Sequence, residues 1–208
     1  VKAGWYDWYG SPYWTDWYHQ TRSQNAVTFD GGKGQLVTGY REQLQRNGKI
    51  TGFAAQPAYD FAEGDATAAY GGQLTMARRQ VWHLRNAGNA ILVRDRLAST
   101  IARTYEWNIH TPVIMAVENA QNVKVSAGGQ SLCLRSLNAD ASFARWIGPG
   151  AKVNVIEDHG AFYLKNDGKS TAEFLVLLDV GCRRPQVGIT TAGTVRTVTV
   201  AGQSVTLN

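Results

Sequence analysis

Cysteine is nearly missing from this chain: Cys133 and Cys182 are the whole complement among 208 residues. Their wide separation excludes a zinc-finger pattern and any Cys-x-x-Cys redox motif. They are either one disulfide of an exported protein or two buried thiols. Proline is also scarce, 5 against 22 glycines, a balance that favours many tight turns over long helices. No apolar run reaches the ~18 residues of a membrane-crossing helix, so no membrane contact is expected. No cluster of five or more Lys and Arg occurs, which argues against a nucleic-acid partner even though the net charge is +5. Neither a Gly-x-Ser-x-Gly elbow nor a phosphate-cradling loop is present. The start, Val1-Lys2-Ala3-Gly4, carries no Met and no signal peptide and reads as a processed or trimmed end.

What the chain does have is a 44% hydrophobic content, enough for a packed core, and one unusual stretch from Gly4 to Gln35. Trp5, Tyr6, Trp8, Tyr9, Tyr13, Trp14, Trp17 and Tyr18 crowd its first half; His19, Arg22, Gln24 and Asn25 follow. Spacings of three residues between several of these aromatics do not fit a strand, and Gly10-Ser11-Pro12 interrupts them. A loop-borne aromatic group leaves some rings exposed. Exposed rings mark binding, and flat sugar faces stack on Trp and Tyr. The alternative is sheet-face or core packing.

Along the chain, short strands are expected at 26–29, 35–38, 50–61, 76–84, 90–97, 104–110, 113–118, 123–126, 131–137, 151–157, 161–165, 172–179, 194–200 and 204–207. Asp30-Gly31-Gly32, Asn47-Gly48, Gly128-Gly129, His159-Gly160 and Asn166-Asp167-Gly168 supply turns. Pro57 argues for an edge position or a bulge. The segment 64–70 is a short helical crossing or an irregular one. Without the spacing of βαβ units, this pattern predicts an all-β fold: an antiparallel β-sandwich of many short strands with little helix, one domain over residues 1–208. Arg78, Arg79, Arg85, Arg94, Arg96 and Arg103 lie either on solvated strand faces or along a positive wall. His83, His110 and His159 are scattered over separate strands without metal-ligand spacing and read as surface or internally satisfied histidines.

The stretch resembles the heparinase II/III-like family of polysaccharide lyases, which includes alginate and glycosaminoglycan lyases. The likeness rests on Gly4-Trp5-Tyr6-Asp7-Trp8-Tyr9-Gly10-Ser11-Pro12, on Gln20 to Gly32, and on Gly34-Gln35. Gly64 to Tyr70, Arg78-Arg79, Arg94 to Leu97 and Tyr105 to Thr111 extend it. The resemblance implies a C-terminal β-sandwich that follows a helical α/α toroid, with the family's His-rich strand falling ahead of Val1. It also implies export to the periplasm or outside. The reaction implied is β-elimination at a uronic acid, a carbon–oxygen lyase step. Donors neutralise the carboxylate, a base takes the C5 proton, and an acid protonates the departing O4.

On that resemblance the expected catalytic group is Tyr13 or Tyr18 as acid, His19 as the group titrating near neutrality, and Arg22 with Asn25 at the carboxylate. Trp5, Trp8, Tyr9, Trp14, Trp17 and Gln24 would bind substrate. Zinc-bearing members use an Asp and a His where this chain has Lys2 and Gln24. Neither residue replaces them, so no metal and no other cofactor is expected. The expected partner is an acidic polysaccharide together with a toroid domain or chain, and the isolated chain would be nearly inactive. The rival expectations are a non-catalytic carbohydrate-binding module using the same aromatics and, more remotely, a basic sandwich for nucleic acid or protein.

Overall fold

The structure, a computed structural model, describes residues 7–37 and 39–207, with Tyr40 described in its backbone only. Its strands among these residues are β1 (Val27–Phe29), β2 (Lys49–Ala55), β3 (Tyr59–Asp65), β4 (Met76–Leu84), β5 (Ala90–Ala98), β6 (Thr104–Thr111), β7 (Ala116–Val117), β8 (Asn122–Ala127), β9 (Gln130–Ser136), β10 (Ser142–Pro149), β11 (Ile156–Lys165), β12 (Thr171–Val180), β13 (Val187–Ala192), β14 (Val195–Val200) and β15 (Gln203–Leu207). They form three sheets, ordered β1-β6-β11-β10, β2-β3-β4-β5-β12-β9-β8-β7 and β13-β14-β15. Every strand pair is antiparallel. The all-β sandwich reading holds, with one addition: the large sheet is covered on both faces.

The alternation of side chains explains that addition. Along β12, Phe174 and Val176 pack toward the four-stranded sheet with Val27, Phe29, Tyr105, Trp107 and Phe162. Leu175 and Leu177 point the other way, into a second core with Trp82, Leu92, Val198, Val200, Val205 and Leu207. A strand buried on both faces reads as a continuous apolar run rather than an alternating one. Each fully buried Leu or Phe contributes on the order of 1.5–3 kcal/mol.

Several boundaries differ from the sequence reading. Residues 35–37 form no strand; the backbone N–H groups of Gln35 and Leu36 are taken by Thr21 Oγ1 and Ala69 O. The segment expected as one strand over 50–61 is a hairpin, β2 and β3, with Pro57 in its turn. Of 113–118 only Ala116–Val117 pairs. Residues 151–154 make the tip between β10 and β11 instead of a strand, and His159-Gly160 lies inside β11 instead of turning the chain. Gly160 is there for close approach: a Cβ would stand 2.2 Å from Phe143 Cζ across the β10–β11 pair. The cysteines, left open by the sequence, are joined as a Cys133–Cys182 disulfide.

The arginines are neither bare nor merely solvated. Arg78 pairs with Asp65, Arg79 with Asp95, Arg85 with Asp60, Arg94 with Glu173 and Arg103 with Asp30. Asp95 is buried and also accepts from Trp107 Nε1 at 2.9 Å.

Candidate functional site

From Pro12 to Tyr18 the aromatic segment folds as a short helical turn rather than a loop. Ser11 is buried and its Oγ accepts the N–H of Trp14 at 3.1 Å, while Pro12 opens the turn, the pairing expected of a cap followed by a first-position proline. Trp14–Tyr18 then winds as a π-helix, closed by His19 N–H donating to Trp14 O at 2.9 Å. The wider turn places residues five apart over one another. Trp14 and His19 accordingly stack with centroids 4.1 Å apart, and Tyr9 joins Trp14 at 4.6 Å.

This turn divides the expected site residues between two concavities. The larger, about 800 Å³, is lined by Tyr13, Trp17 and Arg22 together with Asp7, Asp16, Glu106, Asn108, Trp146, Pro149 and Tyr163. The smaller, about 320 Å³, holds Tyr18, His19 and Gln24 beside Arg46 and Gln43. Trp8 and Tyr9 stand out in solvent, 59% and 69% exposed, whereas Trp17 is 6% exposed. Asn25 lines neither concavity: its Oδ1 accepts from His110 N and its carbonyl from Arg79. Trp5 lies outside the described residues.

Within the larger cavity the chemistry is specific. Tyr13 Oη donates to Gly150 O; burial, then the nearby charge of Glu157, raises its pKa above the ordinary value. The hydroxyl therefore stays protonated and suits an acid better than a base. Arg22 is exposed, donates to Asp16 O at 2.7 Å, and forms no ion pair with any described carboxylate. It packs over the Asp30-Gly31-Gly32 turn, where a Cβ on Gly32 would come 3.3 Å from its Cδ.

Glu106 of β6 holds that turn. Its Oε1 accepts Gly31 N–H at 2.7 Å, its Oε2 accepts Gly32 N–H at 2.9 Å, and Thr28 Oγ1 donates to it as well. The carboxylate is thus committed inward; among the described residues Arg22 is the cationic side chain of the cavity lining, beside Asp7 and Asp16. Trp146, Tyr163 and Glu106 were not singled out from the sequence. They come from β10, β11 and β6, and only the strand order brings them beside the N-terminal turn.

Of the two positions compared with zinc ligands, Lys2 lies outside the described residues. Gln24 Nε2 donates to Tyr18 O and Ser23 Oγ, and no group of three His, Cys, Asp or Glu among the described residues could hold a metal. His110 and His159 are not scattered: they face each other across β6 and β11.

The family model for the C-terminal domain of heparinase II/III-like proteins matches residues 1–180. Among solved structures, the chain is similar to heparan sulfate lyase HepC from Pedobacter heparinus, with a TM-score of 0.76 and 18% identity over 99% of this chain and 33% of that one. A heparinase III is similar at a TM-score of 0.73 and 12% identity, over 99% of this chain and 32% of that one. At such identities the structural likeness speaks to the fold alone. The chain spans about a third of the length of these structures. No curated protein matched. By the family match over most of its length, the chain belongs to the heparinase II/III-like family, as its C-terminal domain.

Proposed function

We propose that this chain is the β-domain of a lyase that cleaves an acidic, uronate-containing polysaccharide of the glycosaminoglycan type by β-elimination, and that its N-terminal turn forms one wall of the substrate cleft. The observation that carries this reading is the meeting of Tyr13, Trp17 and Arg22 in one aromatic-walled cavity, in a chain of the heparinase II/III-like family. Arg22 binds the uronate carboxylate. Stacked sugar lies on the rings, with Trp8 and Tyr9 at the exposed approach. Tyr13 leaves Gly150 O to give its proton to the departing O4. Among the described residues the cavity lining has no histidine, and His19 and Tyr18 sit in the other concavity, so the C5 base comes from a separate helical domain and the β-domain alone is nearly inactive. The Cys133–Cys182 disulfide favours an exported, oxidising location. The second core, which packs β13–β15 onto the large sheet, favours a single unit over residues 1–208.

The alternative is a non-catalytic carbohydrate-binding module, favoured by the commitment of Tyr13 to Gly150 O. Titration with heparan sulfate and neutral oligosaccharides tests the reading. Preference for the acidic ligand, weakened roughly tenfold or more by Arg22→Ala through loss of a charge-assisted hydrogen bond, is expected. Equal binding of neutral glycans, unchanged by Arg22→Ala, would replace the lyase wall with a generic module.

A further inference from the structure

Behind the cavity wall, His110 on β6 and His159 on β11 meet with Nδ1 atoms 2.7 Å apart. The other nitrogen of each ring faces a backbone carbonyl: His110 Nε2 lies 3.0 Å from Gln24 O and His159 Nε2 lies 2.9 Å from Pro149 O. Carbonyl oxygens only accept, so each Nε2 carries its hydrogen. A neutral imidazole has one N–H, and both Nδ1 atoms would then confront each other with bare lone pairs. A separation of 2.7 Å is a hydrogen-bond distance. One added proton between the rings satisfies all three contacts at once.

We propose that His110 and His159 bind a single proton in common, forming a buried cationic clasp that positions Trp17 in the wall of the cavity. The indole of Trp17 meets both rings, tilted against His159 at 5.0 Å and at right angles to His110 at 6.0 Å, and Trp146 stands 5.9 Å from His159. Both tryptophans line the cavity, and a positive charge on the imidazoles changes their interaction with these aromatic rings. His159 is fully buried. The charged groups about the clasp are Glu157 and Asp158, on the strand of His159, the latter paired at 2.9 Å with Arg145 of β10. From the N-terminal segment, Trp17, the carbonyl of Gln24 and the side chain of Asn25, whose Oδ1 accepts His110 N–H at 3.1 Å, reach the pair.

Burial pushes the titration of both rings down, that of His110 to about 4, with the charge of His159 as its second cause. This repulsion opposes a fourth proton on the four nitrogens. On His159 the carbonyls of Gly148 and Pro149 and the charges of Glu157 and Asp158 act the other way and favour the third. The pair titrates in two steps that belong to both rings rather than to either one.

The test is nitrogen-15 NMR of the imidazoles between about pH 5 and 8, with the Trp17 indole signal followed alongside. Three protons over the four ring nitrogens at the acid end, one of them coupled to both Nδ1 atoms, are expected. The Trp17 signal should shift with the midpoint at which that proton leaves, and His159→Gln should abolish the shift. Two neutral rings with one proton each across the whole range would overturn the proposal. So would a Trp17 shift that survives His159→Gln with its midpoint unchanged.

Discussion

Glu106→Gln is the substitution that probes the site's foundation. The carboxylate accepts three donors, the N–H groups of Gly31 and Gly32 and the hydroxyl of Thr28, and Asn108 Nδ2 in turn donates to Thr28 Oγ1 at 2.8 Å. With the amide oxygen at the Oε1 position, Gly31 N–H keeps its acceptor and Gly32 N–H falls back on the same oxygen, 3.2 Å away, while the new NH2 replaces Oε2 and faces Thr28, whose hydroxyl must surrender its donation and rotate. Hydrogen bonds to a charged group contribute about 1.5–3 kcal/mol and neutral ones about 0.5–1.5, so two surviving bonds each lose about 1 kcal/mol. Thr28 adds to the loss, and relief from burying a carboxylate offsets part of it. The net is about 2–3 kcal/mol. For a chain of this size that lowers Tm by roughly 4–12 °C, measured by calorimetry or urea unfolding. Thr28→Ala in the Gln background should then cost less than it does alone, because the two sites share one network. A Glu106→Gln protein as stable as the parent, within about 0.5 kcal/mol, would mean that desolvation cancels the network and that the turn is held by something else.

Other perturbations follow from the same structure. Gly160→Ala drives a methyl into Phe143 and should destabilise by about 1–3 kcal/mol, with Phe143→Leu in the same chain restoring part of the loss in urea unfolding. The pKa of Asp65 is lowered, first by its hydrogen bond with the Thr67 side chain and further by Thr67 N–H and Arg78. Its stabilisation is complete above the ordinary carboxylate pKa near 3.9 and fades as pH falls through the folded value. Asp65→Asn should therefore flatten the acid limb of stability against pH. Reducing Cys133–Cys182 releases a 49-residue separation and should cost about 4 kcal/mol on the loop-entropy model, read as the difference in urea midpoint with and without reductant.

Much of the fold was legible because glycine-rich turns punctuate both alternating strands such as β4 and continuous apolar runs such as β12; β4, β5, β6, β9 and β12 fall almost where the pattern puts them. His159-Gly160 misled because a glycine in a strand is indistinguishable from a turn glycine until its neighbour, Phe143, is placed. The 50–61 segment misled for a related reason, since Pro57 is compatible with an edge, a bulge or a turn. Of the site, the sequence identified the segment but not its division. Tyr13 precedes the π-turn and Tyr18 ends it, each facing a different concavity, and no periodicity in the sequence announces that turn. Glu106, Trp146, Tyr163 and the His110–His159 contact depend on the order β1-β6-β11-β10 and on its register, which local pattern does not encode.

The central claim is that the face carrying Tyr13, Trp17 and Arg22 meets an anionic saccharide. Nuclear magnetic resonance of the chain titrated with a heparan sulfate oligosaccharide addresses it directly. The account predicts shifts confined to Trp8, Tyr13, Trp17, Arg22 and Trp146, weakening as salt is raised. Shifts confined instead to β13–β15, or none at ligand concentrations that saturate binding, would contradict it.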